Sequence, residues 1–203
     1  MGGFAMLTTI ASTALLQGLN QRSNEDAWRR FCARYEPMLL AFAQRAGLRD
    51  EDARDVVQET LVVFLGSFRD GRYDPQRGRL RSWLQGIVLN KIREARRRLA
   101  KQEVQVADPT SSTAFMDRVP DNRKLNDIFE EEWERGIMAE CLREVHRHVD
   151  ARTFRTFELY AVENWPAEKV ADHLGISRNT VYVSKTRVLS RLRQLRQEIA
   201  EIW

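Results

Sequence analysis

Apolar residues along this chain recur at intervals of three and four and rarely alternate, so the pattern predicts an all-α protein. Trp28, Phe31, Cys32, Tyr35, Leu39, Phe42 and Ala43 mark one helix. Ser23 is the expected N-cap, with Asp26 three residues on, and Gly47 ends the run. Pro37 is expected to kink or split it. A second helix opens at Asp50 or Asp52 and carries the stripe Ala53, Val56, Val57, Thr60, Leu61, Phe64 and Phe68. Its other face holds Asp55, Gln58, Glu59 and Val62, and a valine outside the stripe beside acids and an amide suits contact with another protein. After a turn-rich loop from Arg69 to Arg79, a third helix runs from Leu80 to about Leu99. Its expected core is Leu80, Trp83, Leu84, Ile87, Val88, Ile92 and Ala95. Leu7 to Leu19 suits a short leading helix.

Periodicity fades after Val104, where Asp, Pro, Ser and Thr accumulate, and returns at Trp133, Ile137, Met138, Cys141, Leu142 and Val145. The expected organisation is two small helical domains, 7–100 and 131–203, joined by a flexible linker over 101–130. The second domain ends in a helix-turn-helix. Pro166 suits a first helical position. Val170, Ala171 and Leu174 line one side, Gly175 is a left-handed stop, and Ser177 is an N-cap able to accept from Asn179 or Thr180. In the last helix Val181, Val188, Leu192 and Leu195 share a buried face, while Arg178, Tyr182 and Lys185 share another. A basic helix entered through a tight turn is shaped for a major groove. Arg178 and Asn179 can make paired hydrogen bonds to base edges.

Charge sharpens this picture. The net charge of +4 conceals three blocks. Arg69–Lys101 holds eleven basic and three acidic residues, Ile176–Gln197 six basic and no acidic ones, and Asp117–Glu134 seven acidic and three basic ones. Two positive blocks around a negative one indicate two polyanion-binding units. In the first, Arg72 and Tyr73 in the loop and Arg79, Arg81, Asn90, Lys91, Arg93, Arg96, Arg97 and Arg98 beyond it suit a nucleic-acid strand. Cations neutralise phosphates, and an aromatic or arginine plane stacks on an exposed base.

Cys32 and Cys141 are far apart and belong to no disulfide framework, so a reducing cytoplasm is expected. No apolar run approaches a membrane span, and Leu7–Leu19 lacks the basic leader of a signal peptide. No phosphate loop, nucleophile motif or metal-spaced Cys/His set is present, so neither an enzyme, a cofactor nor a metal is expected. His146, His148 and Cys141 do not make a ligand set, because helical residues two apart point away from each other.

Taken together, the motifs resemble the extracytoplasmic-function class of bacterial RNA polymerase sigma factors. Asp52-Ala53-Arg54-Asp55-Val56-Val57-Gln58-Glu59-Thr60 is similar to that family's Asp-x-x-Gln-Glu helix. Tyr73-Asp74-Pro75 and Arg79 through Lys91, ending in Arg96-Arg97-Arg98, are similar to its promoter-melting loop and helix. The helix-turn-helix is similar to its fourth conserved region. The resemblance implies that Asp52, Asp55, Gln58, Glu59 and Val62 dock on core RNA polymerase. It implies that the loop, with Asn90 behind it, captures an unstacked base of the −10 element, a few kcal/mol of unstacking being offset by pocket contacts. Arg93, Arg96, Arg97 and Arg98 would then hold the adjacent backbone. Ser177, Arg178, Asn179, Thr180, Tyr182 and Lys185 would read the −35 element of promoter DNA, and an anti-sigma protein is an implied partner. The sequence departs from the family at Lys169, where an acidic residue is common, and at Asn164-Trp165, where a glycine-containing turn is usual. The competing reading is a stand-alone helix-turn-helix regulator with an N-terminal sensor.

Overall fold

Every regular element among the described residues of the computed structural model is helical, in keeping with the all-α expectation. The structure describes residues 15–21, 23–106 and 122–202. The chain divides into two compact units between Gly136 and Ile137.

In the first unit, residues 15–20 are helical and bury Leu15 and Leu19. Helix α1 spans Glu25–Arg45. Its N-cap is Asn24, not Ser23: the Asn24 side-chain oxygen accepts the Ala27 N–H at 3.0 Å. Pro37 lies inside α1 without dividing it. Pro37 and Ala33, whose carbonyl loses its partner there, both face solvent, so water can satisfy the freed group.

Helix α2, Asp50–Arg69, starts with three acids in its first turn, where the helix dipole favours them. It buries the full predicted stripe from Ala53 to Phe68. Helix α3, Leu80–Val106, buries Leu80, Leu84, Val88, Ile92 and Ala95. Trp83 and Ile87 are only half-buried, because they flank that stripe. Phe31 stacks on Phe64 at 4.5 Å, and Phe64 lies 5.2 Å from Trp83, so one aromatic seam ties α1, α2 and α3 together.

Helix α4 spans Asn122–His148, and the division between units falls inside it. Residues 122–136 belong to the first unit. Leu125, Phe129 and Trp133 are buried; Phe129 meets Phe42 edge-on at 5.2 Å, and Trp133 lies 6.0 Å from Tyr35. Arg45 donates to Glu131 at 2.7 Å and Glu132 at 2.6 Å. Part of the acidic run that suggests a solvated connector is therefore paired. The expected linker is helical at both described ends, and its residues 107–121 lie outside the described residues.

In the second unit, the C-terminal part of α4 buries Cys141 and Val145. Helix α5, Ala151–Phe157, is capped by Asp150, whose carboxylate accepts the Thr153 N–H at 2.9 Å. It continues into a π-turn over Glu158–Val162. Helix α6 spans Ala167–Leu174 and α7 spans Arg178–Ile202. Leu159, Ala167, Val170, Ala171 and Val181 form the core beneath them.

Candidate nucleic-acid interface

In the first unit α2 and α3 bring the polymerase-docking and strand-binding candidates onto adjoining surfaces. Asp55, Gln58 and Val62 project outward from α2, with Val62 62% exposed and Val63 beside it. Asp52 is half-buried and held by Arg49 at 3.1 Å. Glu59 joins the two helices, lying 3.3 Å from Lys91 and 3.8 Å from Arg98 of α3. The acidic face expected for one partner thus also braces the basic helix expected for another. Lys91 is held further by Glu94 at 2.8 Å, and the Glu94 and Glu59 hydrogen bonds raise its ammonium above the ordinary lysine value against a smaller burial effect.

The loop before α3 is built by Asp74. Its side chain accepts the Gln76 N–H at 2.9 Å, and its carbonyl accepts the Arg77 N–H at 3.0 Å. Tyr73 stacks between Phe68 and Trp83, at 5.9 and 5.2 Å. Burial pushes its phenol above the ordinary value, and the Leu80 backbone partly offsets this. Arg72 and Arg79 are exposed around it.

The remaining arginines of the set divide. Arg97 and Arg98 are exposed, and Arg93 donates to Asn90 at 3.1 Å. Arg96 is half-buried and donates to the Ala46 carbonyl at the end of α1, and burial lowers its ordinary value. Arg81 faces Glu130 and lies 5.6 Å from the centre of the Trp133 ring. Arg81 and Arg96 therefore hold this unit together. Counted at about 100° per residue, Arg81 falls between the buried Val88 and Ile92 and Arg96 on the flank of that stripe, a signal that the charge count passed over.

In the second unit the helix-turn-helix forms as the spacing requires. Gly175 stops α6 at φ 60° and ψ 48°, the left-handed region that favours glycine. Ser177 Oγ accepts the Thr180 N–H at 3.1 Å. Pro166 is the N-cap of α6, not its first helical residue, because its ψ of 142° is extended. The two departures noted in the sequence have local explanations. Asn164 holds φ 55°, a conformation that asparagine tolerates better than most residues, so it takes the place of a glycine there. The Lys169 ammonium lies 3.9 Å from the centre of the Trp165 ring.

Arg178 donates to Glu168 of α6 at 2.8 Å. This hydrogen bond lowers the Glu168 carboxyl and raises the Arg178 guanidinium relative to their ordinary values. Lys185 is half-buried, 5.1 Å from the centre of the Tyr160 ring, while Tyr160 meets Tyr182 edge-on at 5.7 Å. Asn179 and Thr180 are exposed. Counting about 100° per residue from 3.6 residues per turn, the Arg178–Tyr182–Lys185 face is the flank of α7. The face directly opposite the buried Val181, Val188 and Leu195 is centred on Asn179, Val183 and Thr186. Val183 and Thr186 are not marked by the charge pattern; their spacing of four and seven from Asn179 is the signal that finds them. Among the described residues no cluster of potential metal ligands occurs.

Residues 31–102 match the Sigma-70 region 2 family. The match lies within the first unit. The match covers two of the three motifs on which the resemblance to extracytoplasmic-function sigma factors rests. The matched residues include the docking candidates of α2 and the strand-binding candidates of the loop and α3. No curated protein matches the chain. The chain is also similar to CnrH, solved in complex with the cytosolic domain of CnrY: identity is 22%, 90% of this chain and 94% of that chain are covered, and the TM-score is 0.36.

Proposed function

We propose that this chain is a sigma factor that binds core RNA polymerase and directs it to specific promoters. The observation that carries the proposal is the sigma-70 region 2 match across α2 and α3, where Glu59 links an outward acid, amide and valine face to a basic helix. In this reading Asp55, Gln58 and Val62 dock on the polymerase, with Asp52 and Glu59 shaping that face. Tyr73, Arg72, Arg79, Asn90, Arg93, Arg97 and Arg98 receive the −10 strand, with Lys91 held behind them. The helix-turn-helix, through Ser177, Arg178, Asn179, Thr180, Tyr182 and Lys185, reads the −35 element. Arg81 and Arg96 act by bracing the module.

Two DNA contacts carried by one polymerase raise each other's effective concentration. RNA synthesis belongs to the polymerase, so the chain needs neither cofactor nor catalytic residue. It works in the cytoplasm and is held by an anti-sigma protein until released. No helix among the described residues is long and apolar enough to cross a membrane.

The test is binding of the full chain to purified core polymerase. Asp55→Ala with Gln58→Ala removes docking groups while keeping the Glu59 pairs with Lys91 and Arg98. The double variant should lose polymerase affinity and keep its fold. A chain that binds promoter duplex but ignores core polymerase is a stand-alone regulator, and the proposal then fails.

A further inference from the structure

The outermost face of α7 is not the one that the basic residues mark. Val183 is 48% exposed and Tyr182 49% exposed, on a helix whose other outward residues, among those described up to Gln197, are polar or charged. Together with Thr186, Arg187 and Ser190 they line an open hollow of about 360 Å³. The Thr186 hydroxyl donates to the Tyr182 carbonyl at 3.0 Å. That bond occupies the hydroxyl, so Thr186 presents its methyl to the surface. Val183 and Thr186 thus make a small apolar patch. Asn179 lies one turn before Val183, and Arg187 one turn after it.

A cluster of aliphatic carbons at this place needs an apolar counterpart. The surrounding charge restricts what that can be: Ile176–Gln197 holds six basic residues and no acidic one, so the partner is a polyanion. The major groove of duplex DNA offers one apolar group, the 5-methyl of thymine. One such group can rest against the patch, and the asparagine beside it can bond the edge of a neighbouring adenine.

We infer that Val183, supported by the Thr186 methyl, selects thymine in the promoter by contact with its 5-methyl group. This rests on the proposed promoter reading and assigns it a specificity-determining residue. Selectivity at this position comes from burial of a methyl group, whereas at Arg178 and Asn179 it comes from hydrogen bonds.

The experiment uses the full chain with core polymerase to select duplexes from a library randomised across the upstream element. Each thymine of the selected duplex is then replaced singly by deoxyuridine, which removes the methyl and keeps every hydrogen-bonding group. One replacement should weaken binding by about fourfold, the worth of one buried methyl. In Val183→Ala that same replacement should have no effect, while all others act as in the parent. Val183→Thr, which keeps the β-branch and one methyl, should retain part of the difference. Val183 is exposed, so these variants keep the fold. If every deoxyuridine acts equally on the parent and Val183→Ala, the inference is wrong and the sigma-factor reading stands. If no duplex is enriched, both fall.

Discussion

Phe129 ties the start of α4 into the first unit. It sits in α4, in a stretch whose sequence suggests linker, yet it is fully buried, edge-on to Phe42 and stacked on Trp133 at 5.6 Å. Removing a buried phenylalanine ring costs about 3–5 kcal/mol, from the transfer energy forgone and the cavity left behind. At about 1.4 kcal/mol per factor of ten, Phe129→Ala should speed global exchange of α1 amides roughly a hundredfold to several thousandfold. Native-state hydrogen exchange followed by peptide should show this in 25–45 and leave 178–197 unchanged. Phe129→Leu, which fills much of the volume, should show a much smaller effect. Unchanged exchange in 25–45, with acceleration confined to 122–136, would mean that this segment only rests on the module, and the reasoning would be refuted.

Gly175→Ala places a Cβ in open space at φ 60°, so its cost is conformational alone, about 1–2 kcal/mol; a denaturant midpoint equal to the parent's would show that α6 ends differently. Arg97→Gln with Arg98→Gln should reduce the salt slope of polymerase-dependent promoter binding by about one for each phosphate left without its cation. Arg96→Gln should instead loosen the end of α1 by releasing the Ala46 carbonyl; equal salt slopes in the two variants would remove this division of roles. Glu168→Gln should widen the base preference at the position read by Arg178, measured by competition among duplexes, and an unchanged preference would show that the pair does not orient Arg178. The Asp150 carboxyl is lowered by its hydrogen bonds to Thr153, so the native state favours its ionised form. Its contribution is present above the ordinary carboxylate value and is lost as pH falls through the lower native one. Asp150→Asn keeps a cap and should remove that part of the acid dependence of unfolding; an identical acid profile would contradict the assignment.

The parts legible in the sequence are those where one face is buried and the other wet. The α2 stripe from Ala53 to Phe68 and the α7 series Val181, Val188, Leu192 and Leu195 are buried as their spacing requires. The α6 stop at Gly175 and the cap at Ser177 were legible because left-handed backbone and free N–H groups demand particular residues. Polar residues with tertiary partners were not legible. Glu131 and Glu132 resemble a solvated run until Arg45 is beside them, and the contacts of Arg81 with Glu130 and of Arg96 with the Ala46 carbonyl do not show in the pattern. Periodicity reports which side of a helix is wet, not which of its charges another element has engaged. Val183 is the converse case, an apolar residue on the wet side of α7 that a search for basic residues passes over.

The central claim is that this chain confers promoter choice on a polymerase. Run-off transcription with purified core polymerase on a promoter library, with and without the chain, tests it most directly. The account predicts transcripts from a defined set of promoters only when the chain is present, and loss of that set with Asp55→Ala and Gln58→Ala. Transcripts that are the same in number and start site with or without the chain would contradict it.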